Sequence, residues 1–361
     1  MKWLIYLYDD AEGRGGAETI VHMVAREILR QGNDVYVFFL NPRKYKEWDE
    51  EEMTHLHLVY TKTKGILRFL QLIKNFWRYR NEQFDYSFTS LVDTNGVIGL
   101  MRRLKILRIK KTVGRESTSI FARYHGFALW RKQMMYHLGY PQIDLLVCQS
   151  NKMKEELLDN LPWLTRKCEV VVVPNPFDNA LAQQMGAVKM DVVDKCGDYI
   201  VTAGRFISAK AYDVLLESFA ILHKEWPQMK LIMLGEGNLR PRYEEIIDRE
   251  GLNEYVLFPG FTDNVYPYFR GAKLCVVSSR IEGFPNVLLQ MMSQNDKVVS
   301  TLCAGGIEHI KGLFTCEVNN VELLAKTMSK CLKADTSRCR ELFDNELMSR
   351  SLEHFIECVF R

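Results

Sequence analysis

The sequence predicts an α/β protein of two domains, each built on a doubly wound parallel sheet. A βαβ unit opens the chain, a second alternation of strands and helices starts near residue 199, and 361 residues at 47% hydrophobic content suffice for two cores. Two Rossmann-like domains are therefore expected to face each other across a cleft.

Taken in order, an apolar strand at Trp3–Tyr8 runs through the loop Gly13-Arg14-Gly15-Gly16 into a helix that presents Ile20, Val24, Ile28 and Leu29 on one side. Gly32 ends that helix and a second strand, Val35–Leu40, follows at once. Further strands are expected at His57–Tyr60, Tyr86–Thr89, Lys111–Val113, Leu145–Cys148 and Glu169–Val173, and Pro174-Asn175-Pro176 then breaks the pattern. The alternation restarts at Tyr199–Ala203 and continues through Lys230–Leu234, Val256–Phe258, Leu274–Val277 and Lys297–Ser300. The expected domains are 1–178 and 179–337, with a helical segment at 338–361 whose Leu342, Leu347, Leu352, Phe355 and Val359 are available for burial against the first domain.

Composition narrows the setting. The opening apolar run stops at Asp9 and Asp10, too short for a leader or a membrane span. Nine cysteines, an odd number without a Cys-x-x-Cys pair, fit free buried thiols in a reducing cytoplasm. Net charge is only +3, which implies no nucleic-acid partner, but the basic excess concentrates between Lys62 and Arg115. Within it, Lys62–Arg80 lacks acids and places Ile66, Phe69, Leu70, Ile73, Phe76 and Trp77 at helical spacing, with Lys64, Arg68, Lys74 and Arg78 around them. Either that stripe faces the core, or the helix 62–80 lies on an anionic membrane surface.

Chemistry is expected at the carboxyl ends of the second domain's strands. Strand Tyr199–Ala203 ends in Gly204-Arg205, with Lys210 five positions on, and two cations flanking a strand-to-helix turn either converge on one polyanion, such as a diphosphate, or remain solvated. Gly235-Glu236-Gly237 and Phe258-Pro259-Gly260 end the next two strands, where they either meet a flat base or serve turn geometry alone. Strand Leu274–Val277 leads into Glu282-Gly283-Phe284-Pro285-Asn286 and an apolar helix carrying Gln290, which sets a carboxylate and backbone amides at one helix start. In the first domain Gly15 and Gly16 form a tight turn, Asp93 follows a strand, and Arg115 and Glu116 end another, as a ligand contact or as a structural pair.

Gly15-Gly16-Ala17-Glu18, Pro174-Asn175-Pro176, Gly204-Arg205 with Lys210, Gly235-Glu236-Gly237 and Glu282-Gly283-Phe284-Pro285 stand in the order seen in retaining glycosyltransferases of family four, which the chain resembles over nearly its whole length. The resemblance implies the two-domain GT-B fold, a nucleotide-diphosphate sugar donor (UDP favoured over GDP), retention at the anomeric carbon, and no cofactor or required metal. It implies Arg205 and Lys210 as diphosphate ligands, and Glu282 as the first acid of a Glu-x7-Glu motif beside the donor sugar. Gly15, Gly16, Gly235, Glu236, Gly237, Phe258, Pro259, Gly260, Gly283, Phe284, Pro285, Asn286 and Gln290 are then donor-binding, and Asp93, Arg115 and Glu116 lie on the acceptor side. Gln290 departs from the motif, whose second glutamate meets the ribose. The expected acceptor is a glycan hydroxyl, lipid-linked as in bacterial surface polysaccharide assembly, at the inner face of the cell membrane. A nucleotide-sugar epimerase and a non-catalytic donor-binding scaffold are the alternatives.

Overall fold

The computed structural model describes residues 1–10, 16–43, 48, 54–63, 65, 67–189 and 196–360. It divides into two compact units, Met1–Pro176 with Leu352–Arg361, and Phe177–Ser351.

The first unit is built on a seven-stranded sheet in the order β3-β2-β1-β4-β5-β6-β7, every pair parallel. Its strands are β1 (Lys2–Leu7), β2 (Asp34–Phe39), β3 (Leu56–Tyr60), β4 (Gln83–Ser90), β5 (Arg108–Arg115), β6 (Leu145–Cys148) and β7 (Glu169–Val172). The order reverses between β1 and β4, the switch point at which such sheets open a ligand crevice beyond their carboxyl ends. Helices α1 (Gly16–Arg30), α2 (Leu67–Arg78), α3 (Val92–Arg103), α4 (Ile120–Arg123), α5 (Gly126–Gly139) and α6 (Asn151–Asn160) connect the strands. Each strand expected from the sequence is present, with ends shifted by a few residues.

Ile20, Val21, Val24 and Ile28 of α1 cover one sheet face, while Leu72 and Phe76 of α2 pack with Ile98 and Met101 of α3 on the other. Helices α3 and α5 touch backbone to backbone: a Cβ on Gly99 would stand 2.1 Å from the Gly139 carbonyl oxygen, so only glycine fits. Sequence periodicity left the orientation of α2 open, and the structure decides it. Leu72, Asn75 and Phe76 fill the buried side, and Phe69, Leu70, Ile73 and Trp77 are left exposed.

The second unit carries a six-stranded parallel sheet, β10-β9-β8-β11-β12-β13. Its strands are β8 (Tyr199–Ala203), β9 (Lys230–Leu234), β10 (Val256–Gly260), β11 (Leu274–Val277), β12 (Val298–Thr301) and β13 (Phe314–Cys316), the last of them too short to stand out in the sequence. Pro259 lies on the edge strand β10, where a missing N–H costs no ladder bond on the open side. The helices are α7 (Asn179–Gly186), α8 (Tyr212–His223), α9 (Arg240–Glu250), α10 (Tyr266–Gly271), α11 (Asn286–Gln294), α12 (Val321–Lys333) and α13 (Cys339–Met348).

The expected single segment at 338–361 is two helices with separate allegiances. Phe343 and Leu347 of α13 belong to the core of the second unit, whereas α14 (Leu352–Phe360) places Phe355, Ile356, Val359 and Phe360 in the core of the first. The Phe360 ring meets Trp3 edge-on at 4.7 Å, and the Tyr86 hydroxyl donates to the Phe360 carbonyl at 3.3 Å. Phe355→Ala should therefore cost about 3 to 5 kcal/mol, read as a lower urea midpoint at unchanged slope; a loss under about 1 kcal/mol would show that α14 is not part of that core.

Candidate active site

The second unit gathers three strand ends. Gly204, Gly235 and Gly260 follow or close β8, β9 and β10 with φ of 155°, 123° and 87°, and they interlock: Gly204 N–H donates to Leu234 at 2.9 Å and Gly235 N–H to Gly260 at 2.8 Å. A Cβ on Gly235 would lie 2.1 Å from the Gly204 carbonyl oxygen, so the close approach itself demands glycine. Glu236 and Pro259 are exposed. Phe258 is half-buried, with the Arg240 guanidinium 5.1 Å from its ring centre and Phe206 at 5.5 Å.

After Gly204 the chain turns outward with Arg205, buries Phe206, and reaches Lys210 just before Ala211, which takes a left-handed φ of 52° and starts α8. The Lys210 ammonium sits 2.8 Å from Glu282 Oε1, at side-chain exposures of 17% and 18%. Arg205 is exposed, and its side chain has no hydrogen bond or ion pair among the described residues. Lys210, one of the two expected diphosphate ligands, is thus paired with Glu282, the acid expected beside the donor sugar.

A residue not singled out from the sequence holds this turn. Arg280 donates from Nη2 to both Asp213 carboxylate oxygens at 2.9 Å, from Nη1 to the Ser208 carbonyl at 2.7 Å and from Nε to Asn319 at 2.6 Å, while its own N–H donates to Ala209 at 2.8 Å. Burial alone would raise the Asp213 carboxyl pKa, but the Arg280 hydrogen bonds and charge outweigh it and hold the group below the usual range. Ser278 Oγ donates to the Lys210 carbonyl at 2.9 Å, and Ser279 Oγ donates to Glu282 Oε1 at 3.0 Å. The stretch from Ser278 to Glu282 thereby clamps the stretch from Ser208 to Asp213.

Beyond Glu282, Gly283 and Pro285 are buried and α11 begins at Asn286. The N–H groups of Gly283 and Phe284 have no acceptor among the described residues. The Phe284 ring is 7% exposed and packs in the core, 4.5 Å from the Arg350 guanidinium, so this residue has only backbone to offer a ligand. Gln290 lies further along α11, with Nε2 at 3.5 Å from the Tyr266 hydroxyl.

Two family models match the chain: "Glycosyltransferase Family 4" over residues 14–181 and "Glycosyl transferases group 1" over residues 197–334. The chain is a family 4-like glycosyltransferase of the GT-B fold. It is 27% identical to the N-acetylgalactosamine-N,N'-diacetylbacillosaminyl-diphospho-undecaprenol 4-alpha-N-acetylgalactosaminyltransferase of Campylobacter jejuni, covering 96% of this chain and 94% of that protein. Among solved structures, HepE of Anabaena in complex with UDP superposes with a TM-score of 0.78 at 16% identity, covering 99% and 98% of the two chains. A glycosyltransferase from Rickettsia africae follows with a TM-score of 0.74 at 17% identity, covering 99% and 96%.

In the first unit of this glycosyltransferase, Gly16 opens α1, and Gly15 lies outside the described residues. Asp93 pairs with Lys132 at 2.7 Å beside Tyr8, whose hydroxyl pKa burial and the Asp93 charge both push up. Leu91 holds a φ of 97° at the start of α3, a strained conformation for a branched side chain, of the sort that gathers at ligand sites. These residues, with Glu116 and Tyr124, line a cavity of about 180 Å³. Of these residues Asp93 and Glu116 are legible in the sequence, whereas no local pattern marks Lys132, Tyr124, Tyr8 or Leu91.

Arg115 and Glu116 feel each other's charge but share no hydrogen bond or close ion pair, and each is held by other partners. Arg115 is 1% exposed and donates to Ser90 at 2.9 Å and to Asn175 of the Pro-Asn-Pro turn, so it supports the sheet edge and is closed to an acceptor. Burial lowers its pKa to about 10, which leaves it charged at neutral pH. The Glu116 carboxylate accepts from Tyr136 at 3.1 Å and from Tyr140, and burial pushes its pKa up to about 7. An unfolded chain releases that proton near 4.5, so between these values the folded state holds more protons and stability falls as pH rises. Glu116→Gln should flatten this decline in a melting series from pH 5 to 8; parallel wild-type and variant curves would show that burial does not raise the group.

Proposed function

We propose that this glycosyltransferase moves a sugar, with retention and without a required metal, from a nucleotide-diphosphate donor to a hydroxyl of a lipid-linked glycan in bacterial surface polysaccharide assembly. UDP is favoured over GDP as the carrier. The observation that carries the reading is the Lys210–Glu282 pair, 2.8 Å apart beside the strand-end glycines Gly204, Gly235 and Gly260.

A diphosphate offers Lys210 more negative charge than one carboxylate does. When it arrives, Lys210 exchanges Glu282 for phosphate oxygen, with Arg205 as a second cation. Glu282, still fixed by Ser279, then becomes free to accept from a sugar hydroxyl. The bond from the anomeric carbon to the diphosphate oxygen breaks with its electron pair staying on the diphosphate, where the two cations stabilise the developing charge, while the acceptor oxygen bonds the anomeric carbon from the same face and its proton passes to the departing diphosphate oxygen. The N–H groups of Gly283 and Phe284, without an acceptor among the described residues, are further donors at the start of α11.

The donor class draws support from the fold relative HepE, whose structures hold UDP alone and UDP with glucose. The acceptor class draws support from the Campylobacter relative, which acts on a diphospho-undecaprenol-linked glycan. Lys210→Ala and Arg205→Ala should each lower turnover of a UDP-sugar and a polyprenyl-diphosphate-linked acceptor on the order of 100-fold. Proton NMR of the product should show the donor's anomeric configuration. Full turnover in the double variant, or an inverted product, would refute the proposal, and conversion of the donor sugar without acceptor would identify an epimerase instead.

A further inference from the structure

We infer that α2 and α5 form one docking surface of the first unit for an anionic lipid bilayer. On α2 the outward stripe Leu67, Leu70, Ile73 and Trp77, at 57%, 63%, 40% and 53% exposure, is separate from the inward pair Leu72 and Phe76, which already satisfies the core. Helix α5 repeats the arrangement. Phe127, Trp130 and Met134, spaced i, i+3 and i+7, are 77%, 53% and 39% exposed, with the Phe127 and Trp130 rings stacked at 5.4 Å. Helix α3 links them: its Ile98 and Met101 share one core with Leu72 and Phe76 of α2, and its Gly99 meets Gly139 of α5.

Charge selects the occupant. Between Met53 and Ile143 the sequence holds sixteen lysines and arginines against four acids, and no acid at all occurs in residues 53–81 or 117–143, the two stretches that contain these helices. On α2 the Arg68 guanidinium lies 5.2 Å from the Phe69 ring centre, Arg80 lies 5.2 Å from Trp77, and Lys74 and Arg78 are exposed. Arg131 is exposed on α5. Exposed aliphatic and indole side chains with cations stacked on or beside them match the headgroup region of a bilayer, where apolar groups enter the acyl boundary and cations meet phosphate. A protein partner covering this area would have to supply a comparable excess of acids, and a second copy of the chain would bring like charge against like charge.

The test is flotation of the whole protein with vesicles, which reads neither donor nor acceptor and so stands or falls separately from the transfer reaction. The protein should float with phosphatidylcholine vesicles containing phosphatidylglycerol, not with phosphatidylcholine alone, and added salt should weaken the binding. Leu70→Ser with Ile73→Ser, and independently Phe127→Ser with Trp130→Ser, should each weaken binding by roughly tenfold or more at an unchanged melting temperature. Lys74→Glu with Arg78→Glu, which leaves the apolar stripe intact, should do the same. No flotation with anionic vesicles, or flotation that all three variants retain, overturns the inference. Light scattering that finds a wild-type dimer, dissolved by the apolar variants, overturns it in favour of a second copy.

Discussion

The second unit depends on how Arg280 spends its hydrogen bonds. One guanidinium ties Asp213, the Ser208 carbonyl and Asn319 together, so the turn after β8 and the turn after β11 become a single rigid body. Lys210 lies on one of these turns and Glu282 on the other, and joining the turns brings the two groups to 2.8 Å. The backbone that carries the ammonium is itself fixed, with Ser278 holding the Lys210 carbonyl. Preorganisation of this kind lets charged groups meet a leaving group without rearranging as it departs.

Much of this was legible in the sequence, because strands buried on both faces read as short apolar runs and strand-end glycines mark turns that no other residue can make. Gly204, Gly235 and Gly260 were found as separate turn signals, and the structure joins them through hydrogen bonds between neighbouring strand ends. Arg280 was not legible: its partners Asp213 and Asn319 lie far from it in the chain, and a lone arginine after a strand has no pattern. Phe284 divides between the two: its ring gains from burial beside an apolar helix start and packs under Arg350, which leaves its backbone N–H as the group that the motif position can offer a ligand.

The first unit shows the same contrast between local and distant signals. Asp93 stood out as an acid after a strand, whereas its partner Lys132 sits on α5, brought near by the close approach of Gly99 and Gly139. Periodicity located α2 but not its orientation, since apolar residues lie on both sides of that helix. Burial of Leu72 and Phe76 settles which side is inward, and leaves the outward stripe for contact outside the unit.

At the centre of the account stands a claim about charge: Arg205 and Lys210 hold a diphosphate. Calorimetric titration of the wild type and the Arg205→Ala, Lys210→Ala double variant with UDP and with uridine isolates the phosphate contribution. UDP should bind the wild type far more tightly than uridine does, and the difference should largely close in the double variant. An undiminished preference for UDP in that variant would contradict the account.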